Sequence, residues 1–334
     1  GAGAAAAAPG AREEALQLAE ERLRNELKRA ADGEQVSYAD AVQSVLDSAE
    51  VVCATLVGCG ARDFEGRSFD LILLDEASQS TEPRSLIPIS RLSPSGRLAL
   101  VGDHQQLPPV CVSREAESAG LGLSLFSRLL QLPPLRPAAL RVQYRMHPLI
   151  RQWPSEAFYR GTLVDGESVV GRPLLPGFPW PAAGPIAFIE AAGFEEPSPG
   201  RSWQNPGECA LALAVVNRLL ERVPAESIAV ISPYRGQVGL LNLELPARGL
   251  RALTVDGYQG NEAPLVVFSC VRSNAESTIG FLGDKRRLNV ALTRAQMGLI
   301  VIGNPATLRH SDHWWSWLRF VEKHGLKIGA DQLS

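Results

Sequence analysis

Apolar residues along this chain follow two spacings, and the change from one to the other predicts its elements. Between Ala11 and Ala31, Leu16, Ala19, Leu23, Leu27 and Ala30 recur every three or four positions among Glu and Arg, the stripe of an amphipathic helix. Tyr38–Ser48 reads as a second, shorter helix. Three runs then follow that are apolar on both faces, Val51–Thr55, Leu71–Leu74 and Leu98–Val101, with room for a helix between them. Such runs are what a buried parallel sheet requires, and they predict a doubly wound lobe. Prolines crowd Leu132–Pro137, where no helix can continue, so a linker is expected there. The alternation then resumes with strands expected at Ile186–Ile189, Ile228–Ser232, Leu253–Val255, Leu265–Val271 and Leu299–Ile302, and helices at Glu208–Arg222 and Arg286–Ala295. That is a second α/β lobe, entered through a Gly- and Pro-rich surface excursion over Gly161–Gly193.

Composition narrows the class. At 334 residues, 45% hydrophobic and 21% charged, the chain is long enough for two cores and has the balance of a globular protein. Its five cysteines, Cys53, Cys59, Cys111, Cys209 and Cys270, form no CxxC pair, so neither a disulfide framework nor a zinc site is indicated and a reduced interior is expected. No apolar run approaches the ~18 residues of a membrane span. The net charge of −3 decides little, since a local groove can hold a single strand whatever the total. Only four of the 33 basic residues are lysine, an imbalance that coding bias explains as readily as phosphate recognition.

Candidate chemistry gathers at strand ends. Leu71-Ile72-Leu73-Leu74 runs into Asp75-Glu76-Ala77-Ser78-Gln79, and in open α/β sheets ligands sit beyond the carboxyl ends of strands. Two adjacent acids there can divide the work of holding Mg²⁺ and polarising an attacking water. By itself the run reads as readily as a strand ending in a solvated turn. The next strand ends in Gly102-Asp103-His104-Gln105-Gln106-Leu107-Pro108-Pro109, a glycine turn whose amides and acid could sense a γ-phosphate and relay its loss. Arg287 and Arg294 stand seven positions apart, nearly two turns, which would put both on one helix face; an ordinary basic face is the plainer reading.

Taken in order, DEASQ, GDHQQLPP, Gln143-Tyr144-Arg145-Met146-His147-Pro148, Thr254-Val255-Asp256-Gly257-Tyr258-Gln259-Gly260-Asn261-Glu262, Val271-Arg272-Ser273-Asn274 and Arg286-Arg287-Leu288-Asn289-Val290-Ala291-Leu292-Thr293-Arg294-Ala295 resemble the later motifs of the up-frameshift, nonsense-mediated-decay group of superfamily 1 helicases. The resemblance covers roughly residues 50–320. It implies two RecA-like lobes of the P-loop NTPase type, the first truncated at its N-terminus. ATP and Mg²⁺ would lie in a cleft, with single-stranded RNA or DNA across the top and travel 5′ to 3′.

By that resemblance Asp75 supports Mg²⁺, Glu76 activates water and Gln106 reads the γ-phosphate. Tyr144 packs beside base or ribose, and Arg145 reaches the phosphates. Gly260, Glu262 and Arg287 join the nucleotide site, with Arg294 as arginine finger. Thr55, Ser232, Pro233, Tyr234, Thr254 and Arg272 are the nucleic-acid candidates, each open to a purely structural reading. The implied setting is a monomer in the cytoplasm, with the nucleus as alternative, no membrane, and protein regulators of RNA decay as partners. The organisation expected is a disordered low-complexity stretch over 1–10, a helical remnant of an insertion over 11–49, the rest of lobe 1 over 50–132, a linker over 133–139 and lobe 2 over 140–334.

The chain departs from the pattern in two places. A phosphate-binding loop needs G-x-x-x-x-G-K-[ST], yet Lys28, Lys285, Lys323 and Lys327 follow Leu27, Asp284, Glu322 and Leu326. With Gly1 at the start and only Met146 and Met297 as methionines, a longer parent is expected, and little ATPase activity from this polypeptide alone. Ala263-Pro264 stands where relatives usually carry a polar or acidic pair, which puts the usual coupling of nucleotide to strand in question. A non-catalytic nucleic-acid or protein-binding module on the same scaffold is the alternative; it has no chemical need for Asp75, Glu76, Gln106, Arg145 and Arg294 together.

Overall fold

A computed structural model describes residues 38–133 and 135–333, with Glu21, Arg24, Asn25 and Lys28 before them. The expected low-complexity stretch over 1–10 lies outside the described residues, as does most of the amphipathic helix over 11–31. The chain divides into two compact units: Gly1–Gly102 with Pro109–Leu129, and Asp103–Pro108 with Leu130–Ser334.

In the first unit, α1 (Tyr38–Ser48) precedes β1 (Phe69–Leu74), α2 (Glu82–Ile89), β2 (Leu92–Leu100) and α3 (Leu125–Leu129). β1 and β2 pair in parallel, with a register slip between Phe69 and Leu71. Along β1 the residues alternate: Ile72 and Leu74 are buried against Ala77, Leu56 and Phe126, while Leu71 and Leu73 are 63% and 59% exposed. The strand expected at Val51–Thr55 does not form. A strand persists only where its backbone finds a ladder partner, and this segment stands apart from β1 across a cavity of about 700 Å³ that both line. Thr55 instead closes a turn, its Oγ1 accepting from the Gly58 amide at 3.1 Å.

The second unit is built on a six-stranded, all-parallel sheet in the order β12-β5-β11-β10-β8-β9. Its strands are β5 (Ile186–Glu190), β8 (Ile228–Ser232), β9 (Ala252–Thr254), β10 (Ala263–Ser269), β11 (Ala295–Gly303) and β12 (Lys327–Ile328). Ahead of it lie the short parallel pair β3 (Val142–Gln143) and β4 (Val164–Asp165), joined by helix α4 (Pro148–Tyr159). The antiparallel hairpin β6 (Glu196–Ser198) and β7 (Ser202–Gln204) follows β5.

β5, β8 and β10 are buried almost throughout because the sheet is covered on both faces. Ala187, Ile189, Val230, Val267 and Ile300 meet helix α5 (Pro206–Leu220) through Ala212, Val215, Val216 and Leu219. Ile186, Phe188, Ile231, Val266 and Phe268 face the other way, toward Trp314 and Trp317 of α8 (Asp312–Lys323) and Leu288 of α7 (Lys285–Leu292). α6 (Arg235–Leu241) joins β8 to the edge strand β9. The register of β10 against β11 slips between Ala263 and Leu265, so Pro264 occupies an irregular first turn of the strand, where its missing donor is tolerated.

Candidate nucleotide site

In the first unit the acids stand where the sequence places them. Asp75 follows the last residue of β1, and its Oδ1 accepts the Glu76 amide at 2.9 Å. Glu76 takes a left-handed conformation, φ 50°, so the chain breaks its strand direction at once. Gln79 Nε2 donates to Glu76 Oε2 at 2.5 Å, and both carboxylates are solvent-exposed. A Cβ on Gly102 would lie 2.9 Å from the Ser78 amide nitrogen, so only glycine lets the end of β2 pass this close to the turn after β1. Ala77 N donates to Val101 O at 2.8 Å across the same gap.

An exposed strand-end carboxylate fits Mg²⁺ held largely through water and phosphate, the usual habit of that ion. Among the described residues no cluster of three or more His, Cys, Asp or Glu could cage a metal. The phosphate cradle itself finds no match, since no lysine in the sequence follows a glycine.

In the second unit, Glu262 and Arg294 precede β10 and β11, whose register pairs Ala263 with Ala295, so the two residues enter side by side. The Ala263 amide donates to Arg294 O at 3.1 Å. Arg145, from the turn after β3, forms an ion pair with Glu262 and donates from Nη1 to Thr293 O at 3.4 Å. Gln296 Nε2 donates to Glu262 Oε1 at 2.7 Å. Burial pushes the Glu262 carboxyl up, but Arg145, Gln296 and Arg294 outweigh it and hold the group below the usual carboxylate range. Arg294 is 2% exposed and donates to Val290 O, Asn261 O and Thr293 Oγ1. Gly260 lies on the exposed turn ahead of this cluster, at φ 83°.

The helical-face reading of Arg287 and Arg294 needs correction. α7 ends at Leu292 with Thr293 as its cap, so Arg294 lies beyond the helix, in the turn into β11. The apolar run that begins at Ala295 belongs to that strand, which draws the chain out of helix early. Arg287 pairs instead with Asp256 and Asp284, each at 3.0 Å, and its guanidinium lies 5.2 Å from the Phe281 ring centroid.

Tyr144 is 63% exposed, and its ring occupies the space that a Cβ on Gly166 would enter, 2.2 Å away. Arg172 donates to the carbonyls of Arg145 and Tyr144 at 2.6 and 3.2 Å, fixing this turn from behind. Gln106 donates to Asp103 Oδ2 at 3.0 Å within its own loop.

The nucleic-acid candidates divide. Thr55 is exposed, and Pro233 and Thr254 are half-buried. Ser232, Tyr234 and Arg272 are 0%, 3% and 6% exposed. Arg272 is ion-paired to Glu195 at 2.9 Å and lies between the Trp203 and Tyr234 rings, 5.1 and 5.9 Å from their centroids. Its neighbour Val271 takes φ 74°, a conformation rare for a β-branched residue. Glu208, wholly buried in α5, accepts from the Val271 amide and from Ser269 Oγ, each at 2.7 Å, and Asn205 Nδ2 donates to Val271 O at 3.1 Å. Burial pushes the Glu208 carboxyl up to about 8 against these bonds. Sequence reading missed Glu195, Glu208 and Asp256; the one hint was Glu208, an acid early in an otherwise apolar stripe.

A family described as an AAA domain matches residues 121–306, and a second model of the same description matches residues 5–114. A regulator of nonsense transcripts 1 homolog from Drosophila melanogaster is 40% identical over 92% of this chain and 26% of its own length. The Saccharomyces cerevisiae protein named ATP-dependent helicase NAM7 is 40% identical over 86% of this chain and 30% of its length. A probable helicase, MAGATAMA 3 of Arabidopsis thaliana, is 36% identical over 84% and 36%. The chain thus spans about a quarter to a third of the curated relatives it matches.

Proposed function

The chain belongs to the AAA-domain family, and from that premise we propose that it carries the later motifs of an ATP-dependent superfamily 1 helicase motor that tracks along single-stranded nucleic acid. The observation that carries this reading is the Arg145–Glu262–Arg294 cluster, in which Arg145 is ion-paired to Glu262 and the buried Arg294, from a distant part of the sequence, brings a second positive charge near enough to lower the same carboxyl. Preset positive charge of this kind is what a transferring phosphoryl group demands, because its transition state spreads negative charge over several oxygens. Bound ATP would supply the anion that competes with Glu262 for Arg145, and Asp75 would hold Mg²⁺.

Relatives named regulators of nonsense transcripts favour RNA as the strand and RNA decay as the setting, with regulators of that decay as partners and the cytoplasm as compartment. The exposure of Thr55 and the partial exposure of Pro233 and Thr254 support them as strand contacts, while the burial of Ser232, Tyr234 and Arg272 supports a structural part for those three.

The test uses a polypeptide joining this chain to a strand carrying G-x-x-x-x-G-K-[ST]. Single-stranded RNA should stimulate its ATP hydrolysis, and Arg294→Ala should lower kcat about 10³-fold or more while ATP affinity changes far less. An unchanged kcat sinks the reading. Strand binding without any hydrolysis would favour the non-catalytic module. The 334-residue chain alone should hydrolyse ATP at background rate; turnover equal to that of the joined polypeptide would overturn the need for the loop.

A further inference from the structure

The loop Asp103–Pro108 belongs to the second unit, where Leu107 packs into the core and the loop's polar contacts gather around one hydroxyl. Tyr159, the last residue of α4, donates its O–H to Asp103 Oδ2 at 2.6 Å. The Tyr159 hydroxyl oxygen accepts from Asn289 Nδ2 at 2.8 Å, and Asn289 Nδ2 also donates to Gln105 O at 3.0 Å. Asp103 in turn holds the loop's shape, accepting from the Gln105 amide at 2.9 Å and from Gln106 Nε2 at 3.0 Å. Three segments separated by 56 and 130 positions therefore meet at a single atom.

We propose that Tyr159, with Asn289, is a positioning residue that makes the Gln105–Gln106 loop and helix α7 move as one, so that a change at the loop is felt along the helix that leads into the turn carrying Arg294. The inference rests on the motor reading for its purpose, but the coupling is a property of this chain. Burial and the neighbouring Asp103 both raise the Tyr159 pKa, so the hydroxyl stays protonated and can donate. Asn289 is fully buried, yet its Oδ1 has no partner, which is costly and uncommon. Rotating the Asn289 amide would bring Oδ1 to where Nδ2 now meets the hydroxyl and would break the bond from Nδ2 to Gln105 O, releasing the loop backbone from the helix. The Tyr159 proton then has two acceptors within reach, Asp103 or Asn289. The node thus has two arrangements, the requirement for transmitting a shift rather than absorbing it.

The experiment is amide hydrogen exchange on the full chain without nucleotide, following residues 103–108, 285–292 and, as control, 263–269. Asp103→Ala perturbs the loop. With Tyr159 in place it should speed exchange in 285–292 about fivefold, the scale of one buried hydrogen bond. In the Tyr159→Phe background the same perturbation should add less than about twofold there, with 263–269 unchanged in every case. A purely structural tyrosine would give additive effects, and additivity overturns the proposal, as would a Tyr159→Phe chain whose loop and helix both exchange at the unaltered rate. Asn289→Ser reads the same link from the helix side if Tyr159→Phe does not fold. Because no nucleotide is present, failure here leaves the motor reading to be decided by the Arg294 experiment.

Discussion

Glu208 keeps a carboxyl in the interior beside a second buried acid, Glu195, and the two are held apart by what each grips. Glu195 takes the Arg272 guanidinium and the Ser273 amide, whereas Glu208 takes the Ser269 hydroxyl and the Val271 amide and leaves Oε1 without a partner. With the folded pKa at about 8, above the ordinary value of 4.5, the native state binds an extra proton between those values. The stability from this protonation is complete below the unfolded pKa and is lost as pH rises through the folded one. Urea unfolding should therefore show the chain losing stability between about pH 4.5 and about pH 8, and Glu208→Gln should flatten that slope. A parallel slope in both proteins would place the titration elsewhere. Gly166→Ala is a second test at this scale: its Cβ would enter the Tyr144 ring, which must leave its seat. Adenine-nucleotide affinity of the joined polypeptide should fall, while the unfolding midpoint changes little.

At the level of elements, the turn between β1 and α2 depends on Gly102. Gly102→Ala sets a methyl against backbone, so the strand ends must separate, at a cost of about 1–3 kcal/mol measurable by denaturant unfolding. Asn205 caps α5 by accepting the Glu208 amide and also tethers Val271, so Asn205→Ala should cost about 1–2 kcal/mol, more than a cap alone. Strands buried on both faces were legible in the sequence because they are made of unbroken apolar runs, as at Ile228–Ile231 and Leu265–Phe268, with a small serine only at the carboxyl end. Val51–Thr55 has the same local composition and fails as a strand, since pairing is decided by what stands alongside and not by the segment itself. The end of α7 was misplaced for a related reason: its residues suit helix until β11 claims Ala295 for pairing with Ala263. Motif residues were readable because their order is distinctive. Tyr159 and Asn289 were not, because their meeting depends on distances of more than a hundred positions that no local pattern records.

Across the whole molecule, the apolar material is unevenly shared. The second unit packs two large clusters on either side of a six-stranded sheet, whereas the described residues of the first form one small cluster, Ile72, Leu74 and Ala77, around two strands, with Ala41 and Leu125 buried apart from it. Native-state exchange should find β1 and β2 opening well below the global unfolding free energy, with β5, β8, β10 and β11 last to exchange. Equal protection in both sets would contradict that order. No described helix is long and apolar enough to cross a membrane. Leu71 and Leu73 meanwhile turn an oily flank outward on a two-stranded ribbon that has no further described strand on either rim. Such ribbons are templates for neighbours. Concentrated stocks of this polypeptide should accordingly turn cloudy with time, and a charged replacement such as Leu73→Lys should keep them clear.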